Sequence, residues 1–568
     1  MHKKISALLC LSVLVGCGSP GQSSLGTAST SSQTDPIAIS GQTTPSVAPE
    51  GPAPFEARSY DGQNNNLSQP SWGSANTPFV EDVVRAYADG QSQPSGSDRP
   101  GPRQISNAVV AQSSVLDDPA GRSAFLWVWG QFLDHDLDLT FSNGLNDFPI
   151  PIPTGDIYFD PSGSGTQTLP FSRSLALEGS NPRQQVNSIT AFIDASQVYG
   201  SDEATALSLR TLSDGLMSTS AGDLPPLDAR GSFVCGDIRA NENLALTSLQ
   251  TIFLREHNRR ARQLKATDPS LDDEAIYQRA RKSVGALIQV ITYREYLPIL
   301  LGRDTLPRYA GYRSDTDPGV GILFATAAYR LGHSQVGSNL PRLDEAGQEI
   351  PEGNLNVADA FFNPSLIVNE GGIEPLVRGL AVTAAQATDP QVIDDLRNFL
   401  FGAPGAGGLD LPSLNIQRGR DHGLPDYNTI RVAAGRSTAN AFRDITQNGA
   451  RQLALASVYA TPDQIDPWVG LLSEDPAPGA VVGPTLQRLL RDQFLRTRDG
   501  DRFFYLNDPA LQAERAELES TTLAQVVARN TGINSLQTNL FLLPNAVPGP
   551  SPTGRPRRAP RPIPPPQL

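Results

Sequence analysis

Ser-Ala-Phe-Leu-Trp-Val-Trp-Gly-Gln-Phe-Leu-Asp-His-Asp-Leu-Asp-Leu, residues 123–139, sets apolar side chains three and four apart, the period of a helix packed on a core. Into that pattern it puts Gln131, Asp134, His135 and Asp138, which fall at helical spacings along one face. A polar stripe on a buried helix demands partners. On this segment alone three uses stay open. His135 can be a core imidazole satisfied by carboxylates, or a catalytic imidazole. It can also form an isolated iron or manganese site with Asp136 and Asp138, because imidazole and carboxylate suit those metals.

Outward from this stretch the same period recurs at 246–265, 272–301 and 373–401, the last expected to split at Pro390. Strand-like alternation is scarce, and long Pro- and Gly-bearing connections such as 143–167 are candidates for site-forming loops. The pattern predicts a mainly α protein with one large helical domain over 55–545, long loops and little β structure. The ends read differently. Residues 1–16 run from His2, Lys3 and Lys4 into an apolar stretch too short to span a bilayer, an export leader. They stop at Leu14-Val15-Gly16-Cys17, which resembles a bacterial lipobox and predicts a lipid anchor at Cys17. A protein so processed is held at the cell envelope, or is secreted if the anchor is lacking. Residues 17–54 are Ser-, Thr-, Gly- and Pro-rich and read as a flexible tether, and 546–568 as a disordered Pro- and Arg-rich tail.

Composition removes some functions. A formal net charge of -14 argues against nucleic acid, whose phosphates demand clustered Lys and Arg. Of three cysteines, Cys10 leaves with the leader and Cys17 carries lipid, so Cys235 is expected to have no internal disulfide partner. Stability must then come from core burial and bound groups. Histidine is rare: His135, His257, His333 and His422 are the only ones beyond the leader.

Two further segments carry chemistry. Gly-Asp-Ile-Arg-Ala-Asn-Glu (236–242) sets Arg239 and Glu242 on one side of a turn, and Ala-Tyr-Arg-Leu-Gly-His (328–333) sets Arg330 three residues before His333. Each alone reads equally well as a helix-end charge or a surface ion pair. Together with Thr-Ala-Phe-Ile-Asp-Ala-Ser-Gln-Val-Tyr-Gly-Ser (190–201), Leu-Arg-Glu-His-Asn-Arg (254–259) and Leu-Asn-Ile-Gln-Arg-Gly-Arg-Asp-His-Gly-Leu-Pro-Asp-Tyr-Asn (414–428), they resemble the successive signatures of the animal-type haem peroxidases, in that family's order. Shorter likenesses at 102–107, 461–466, 498–503 and 529–533 extend the resemblance over nearly all of 55–542.

The resemblance implies haem b and a reaction that reduces hydrogen peroxide and oxidises a second, small substrate, a halide, pseudohalide or aromatic donor. It makes His135 the distal histidine, beside Arg239 and Gln131, and His333 the proximal iron ligand, donating to Asn415. A neutral imidazole can take a proton from peroxide and return it to the leaving oxygen, while a guanidinium stabilises the charge that builds as the bond breaks. Arg330 and Arg418 match positions beside the haem propionates. Asp134 and Glu242 match the carboxylates that esterify haem methyl groups, but Asn243 stands where a third, sulfonium link needs Met. Asp136, with Thr190, Phe192, Asp194 and Ser196, matches a calcium cage of hard oxygen donors. The alternation at 190–196 suggests an extended chain turning its oxygens one way. His257 and His422 read as structural. Two rivals remain. A fatty-acid dioxygenase of the same superfamily needs a Tyr three residues before the proximal His, where this chain has Arg330. A surface adhesion lipoprotein with the fold but no turnover would not need His135, Arg239, His333 and Asn415 together.

Overall fold

The computed structural model describes residues 55–545. The expected leader, Cys17, the tether and the tail lie outside the described residues. Two long helices, Leu244–Thr267 and Asp273–Ile291, form an antiparallel hairpin through the centre. Their starts are written in the sequence. Asn243 caps the first, its side chain accepting from Leu246 N at 2.9 Å, and Asp272 caps the second through Ala275 N at 2.8 Å.

The stretch at 123–139 is the helix Phe125–Leu137. It packs on the hairpin through aromatic faces, with Phe132 stacked on Phe253 at 5.2 Å between centroids and Trp129 tilted against Phe253 at 5.8 Å. Gly130 admits a neighbour: a Cβ there would stand 3.0 Å from the hydroxyl of Tyr296. These residues belong to one continuous buried cluster that runs through most of the helices. Strand pairing among the described residues is confined to short antiparallel pairs, with Thr77 opposite Asn187, Ile150 opposite Leu169 and Asn339 opposite Asn356. The mainly helical reading holds.

Two predicted helices are broken in ways the periodicity hid. The segment 272–301 is helical to Ile291, widens to a π turn over Thr292–Tyr296 and resumes as Leu297–Leu300. Pro298 lacks the N–H that a regular turn would use. The segment 373–401 does not split at Pro390: its helix Glu374–Val382 ends earlier. The chain then runs extended to bridge Ser123 through Ala384 and Ala111 through Val392, and only one turn, Asp394–Arg397, follows. Cys235 is the only cysteine among the described residues and is free. Buried ion pairs tie distant segments instead, as where Arg103 donates to Asp156 and to Asp410, each at 2.7 Å. Among the described residues no helix is long and apolar enough to cross a membrane.

Candidate active site

Helix Phe125–Leu137 brings His135 to the inner end of its polar stripe, where the ring is 3% exposed. Its Nδ1 is buried without a hydrogen-bond partner, and the nearest charge is the Asp237 carboxylate at 3.8 Å. Burial, reinforced by the charge of Arg239, lowers the imidazole pKa to about 3. His135 is therefore neutral at any working pH. With Nδ1 turned to Asp237, Nε2 is the nitrogen left to face a reactant.

Arg239 is held beside it by a residue the sequence reading quoted but did not single out. Asp237 accepts from the Arg239 backbone N at 2.7 Å, from Nε at 2.9 Å and from Nη2 at 2.8 Å, while Nη2 also reaches the Asp138 carbonyl at 2.9 Å. Burial pushes the Asp237 carboxyl up, but Arg239 and His135 hold it below the usual range. The available signal was its place two residues before Arg239, where a short acidic side chain can return to the following backbone N–H.

The loop that carries them lies flush on its neighbour. A Cβ on Gly236 would stand 2.4 Å from Gly200 N and 2.5 Å from Ser196 O, so no other residue fits there. Ser196–Tyr199 is the single helical turn that ends the 190–201 segment. That segment is bent throughout rather than extended, and Ala195 takes a left-handed conformation at φ 66°. The chain here is thus not the extended one its alternation suggests, yet the oxygens still meet. Ser196 Oγ and N donate to Asp136 Oδ1 at 2.7 and 2.6 Å, Ala195 N to Asp136 Oδ2 at 3.1 Å, and Thr190 Oγ1 to Asp194 Oδ1 at 3.1 Å. Asp194 Oδ2 is buried with no partner. Burial first, and the charge of Asp194 second, push Asp136 well above the carboxylate range; burial also raises Asp194, against the charges of Arg58 and Arg281.

Opposite stands the second histidine. His333 lies in the turn Gly332–Gln335, and the Asn415 amide from helix Leu411–Asp421 meets its Nδ1 at 2.8 Å. The pair is the expected one, but the polarity differs from expectation: Asn415 presents Nδ2, while its Oδ1 accepts from Arg330 Nη1 at 3.3 Å. Turning the amide over would present Oδ1 to an Nδ1–H and leave Nε2 bare for a metal. Burial, aided by Arg330, lowers the pKa of His333 to about 3 as well.

Around this space the other predicted residues are partly spoken for. Arg330 Nε donates to the Ala325 carbonyl at 3.0 Å, and Arg418 Nη1 to Ser174 Oγ at 2.8 Å and to Asp421 at 2.7 Å. Gln131 Oε1 accepts from Asn243 at 2.8 Å. Asp134 is 3.8 Å from Arg239. Burial raises the Asp134 carboxyl to about 6 and Glu242 to about 7, so both hold their protons to higher pH than a free carboxyl does. His257, between the Tyr199 hydroxyl and the Gly215 carbonyl at 2.8 Å each, and His422, bonded to Thr326 and Ser174 at 2.7 Å each, are structural as expected.

The donor set fits a haem. It offers an imidazole whose Nδ1 is engaged by an amide, a second buried imidazole with an unpartnered Nδ1, a clamped guanidinium and two carboxyls raised by burial. Comparison with known proteins agrees. The family described as animal haem peroxidase matches residues 57–541. Peroxinectin A of Dictyostelium discoideum is 37% identical over 516 residues, covering 86% of this chain and 96% of that protein. The solved structure of peroxidase A from Dictyostelium discoideum superposes with a TM-score of 0.81 at 36% identity, over 86% of this chain and all of that one. A fatty acid alpha-dioxygenase of Oryza sativa shares the fold, with a TM-score of 0.75 at 21% identity over 88% of this chain and 89% of that one.

Proposed function

Because this chain belongs to the animal haem peroxidase family and is a peroxidase, an oxidoreductase that uses haem, hydrogen peroxide and a reducing substrate, we propose a specific division of labour among its residues. His333 would hold the iron of haem b, with Asn415 turned to accept from its Nδ1. Bound haem supplies the iron whose oxidation is driven by peroxide. All else is done by this chain's side chains. His135 takes the proton of the incoming peroxide on Nε2 and delivers it to the leaving oxygen, acting as base and then acid. Arg239, fixed by Asp237, stabilises the negative charge on the oxygen that departs, and Gln131 lines the same face.

Arg330 and Arg418 orient the propionates by charge-assisted bonds. Asp134 and Glu242 would form the ester links, each carboxyl oxygen bonding a haem methyl carbon while hydrogen peroxide takes up the two electrons and two protons released and becomes water; burial has already removed much of the hydration that esterification costs. Asp136, Asp194, Thr190, Ser196 and Phe192 would hold calcium, whose charge would offset two buried carboxylates and satisfy the bare Asp194 oxygen. The oxidised substrate is a halide, a pseudohalide or a small aromatic donor. Export with a lipid anchor at Cys17 completes the reading, on the strength of the sequence alone. The dioxygenase alternative gains no support, since Arg330 occupies the place that branch gives to Tyr.

The observation that carries this reading is the neutral, buried His135 beside an Asp237-clamped Arg239. Its test compares two mutants. His135→Ala should keep a haem spectrum while peroxide changes the Soret band about a hundred- to ten-thousand-fold more slowly; His333→Ala should instead lose normal haem ligation. A near-normal Soret change in His135→Ala, followed by stopped flow, would sink the assignment.

A further inference from the structure

The proximal side of the pocket opens into a line of aromatic rings. Tyr329, next to Arg330, donates its hydroxyl to Tyr296 at 3.4 Å, and Tyr296 in turn packs on Gly130 of the His135 helix. From Tyr329 the rings continue away from the pocket. Phe494 meets it edge-on at 5.6 Å between centroids, Tyr293 meets Phe494 at 6.5 Å, Phe504 meets Tyr293 at 5.4 Å and Tyr505 meets Phe504 at 4.8 Å. All four spacings lie within the contact range of aromatic pairs. The line ends just under the surface, at Tyr505, which is itself 3% exposed. Tyr505 donates to Glu519 Oε1 at 3.5 Å, and that half-buried carboxylate also pairs with the exposed Arg515 at 3.4 Å and Arg294 at 3.8 Å.

The hydroxyls decide where an oxidising equivalent can rest. A phenol gives up an electron readily only if its proton has somewhere to go. The Tyr329 hydroxyl faces another phenol, and the Tyr293 hydroxyl donates to the Phe494 carbonyl at 2.7 Å, a poor base. Tyr309 branches from Phe504 at 4.9 Å, but its hydroxyl is buried with no partner at all. Only Tyr505 ends on a carboxylate.

We propose that this line of rings carries oxidising equivalents from the haem pocket to Tyr505, which, across the half-buried Glu519 carboxylate, takes electrons one at a time from phenols that meet the protein surface there and are borne on chains too large to enter the pocket. The inference rests on the peroxidase reading above. Tyr505 loses an electron toward the pocket, which is reduced by one electron, and its phenolic proton moves to Glu519, leaving a neutral phenoxyl radical. The donor phenol then gives Tyr505 an electron, Glu519 returns the proton to Tyr505, and the donor releases its own proton to water as it becomes a radical. Two such cycles consume the two oxidising equivalents of one peroxide.

The test uses the haem-loaded protein, hydrogen peroxide and two donors, iodide and dextran-tethered tyramine, together with rapid-freeze electron paramagnetic resonance without donor. Wild type should show a phenoxyl signal and oxidise both donors. Tyr505→Phe and Glu519→Gln should lose that signal and slow dextran-tyramine oxidation by about tenfold or more, while iodide oxidation and thermal stability stay at wild-type level. Tyr309→Phe should behave as wild type. The proposal is overturned if Tyr505→Phe keeps both the signal and the polymer rate, if both donors slow equally, or if Tyr309→Phe is the variant that loses them. Failure of wild type to oxidise iodide or any other small donor would overturn the peroxidase reading and this inference with it.

Discussion

Asp237→Asn replaces one oxygen by nitrogen in a carboxylate that accepts three bonds from Arg239 and stands 3.8 Å from His135 Nδ1. Stripping one partner from a buried ion pair costs about 3–5 kcal/mol. Here the figure is reduced to about 2–3 kcal/mol, because the Arg239 side chain is 20% exposed and keeps its bond to the Asp138 carbonyl. The kinetic effect is the sharper one. Without its clamp the guanidinium is free to turn toward Asp134, 3.8 Å away, and away from the departing oxygen. Mispositioning one such group should slow the peroxide-driven Soret change about ten- to a hundredfold. His135 stays neutral, since Asp237 is the one group that raises its pKa and removing it lowers that pKa further below about 3. The loss should therefore not follow the titration of His135 between about pH 5 and 8, and should deepen as pH rises through about 6, where Asp134 ionises and draws the guanidinium. Stopped-flow traces across that range, with melting curves on the same samples, make the check. A wild-type rate, or a deficit that vanishes at high pH, would show that Asp237 does not act by fixing Arg239.

Other consequences concern the carboxylates. Burial raises Glu242 from 4.5 to about 7, so the folded haem-free protein keeps a proton that the unfolded chain releases. Its contribution is present below the unfolded value and lost as pH rises through about 7, some 2 kcal/mol for this half-buried side chain; Glu242→Gln should flatten melting temperature against pH in that window, and an unchanged slope would count against it. With haem, peroxide treatment should leave the cofactor attached to the polypeptide on a denaturing gel, and Asp134→Ala with Glu242→Ala should release it; complete acid-solvent extraction from treated wild type would exclude ester links. Removing calcium with a chelator should lower the melting temperature by several degrees and slow the Soret change, and Asp194→Asn should do so without chelator. Unchanged melting with no calcium found by elemental analysis would refute the cage.

The helices that form the pocket were legible because their apolar period is a local property of the chain. What stayed hidden was set by partners far along the chain. Val382 ends its helix long before Pro390 because the following residues bridge Ser123 and Ala111, which no local pattern records. The 190–196 segment has the spacing of an extended chain, yet Asp136 draws the Ala195 and Ser196 amides to itself and bends it. His135, Arg239 and His333 could be picked out by rarity, motif and family resemblance. Asp237 could not be given a role until its three bonds to Arg239 were in view, because an acidic residue beside a turn usually serves only the turn.

The residues that bond to one another to build this pocket are far apart in sequence. Arg239 follows the Asp138 carbonyl it bonds by 101 positions, and Asn415 follows His333 by 82. Chains emerge at roughly 5–20 residues per second, so each pairing must wait on the order of ten seconds after its first member has been synthesised. For that interval the first histidine is present on the growing chain without its arginine, and later the second is present without its amide. Non-local closure of this kind is slow to pay back its entropy. Capture of the cofactor is thus the business of the finished chain, and a product halted before helix Leu411–Asp421 would offer one wall of a pocket with its opposite wall unsupported.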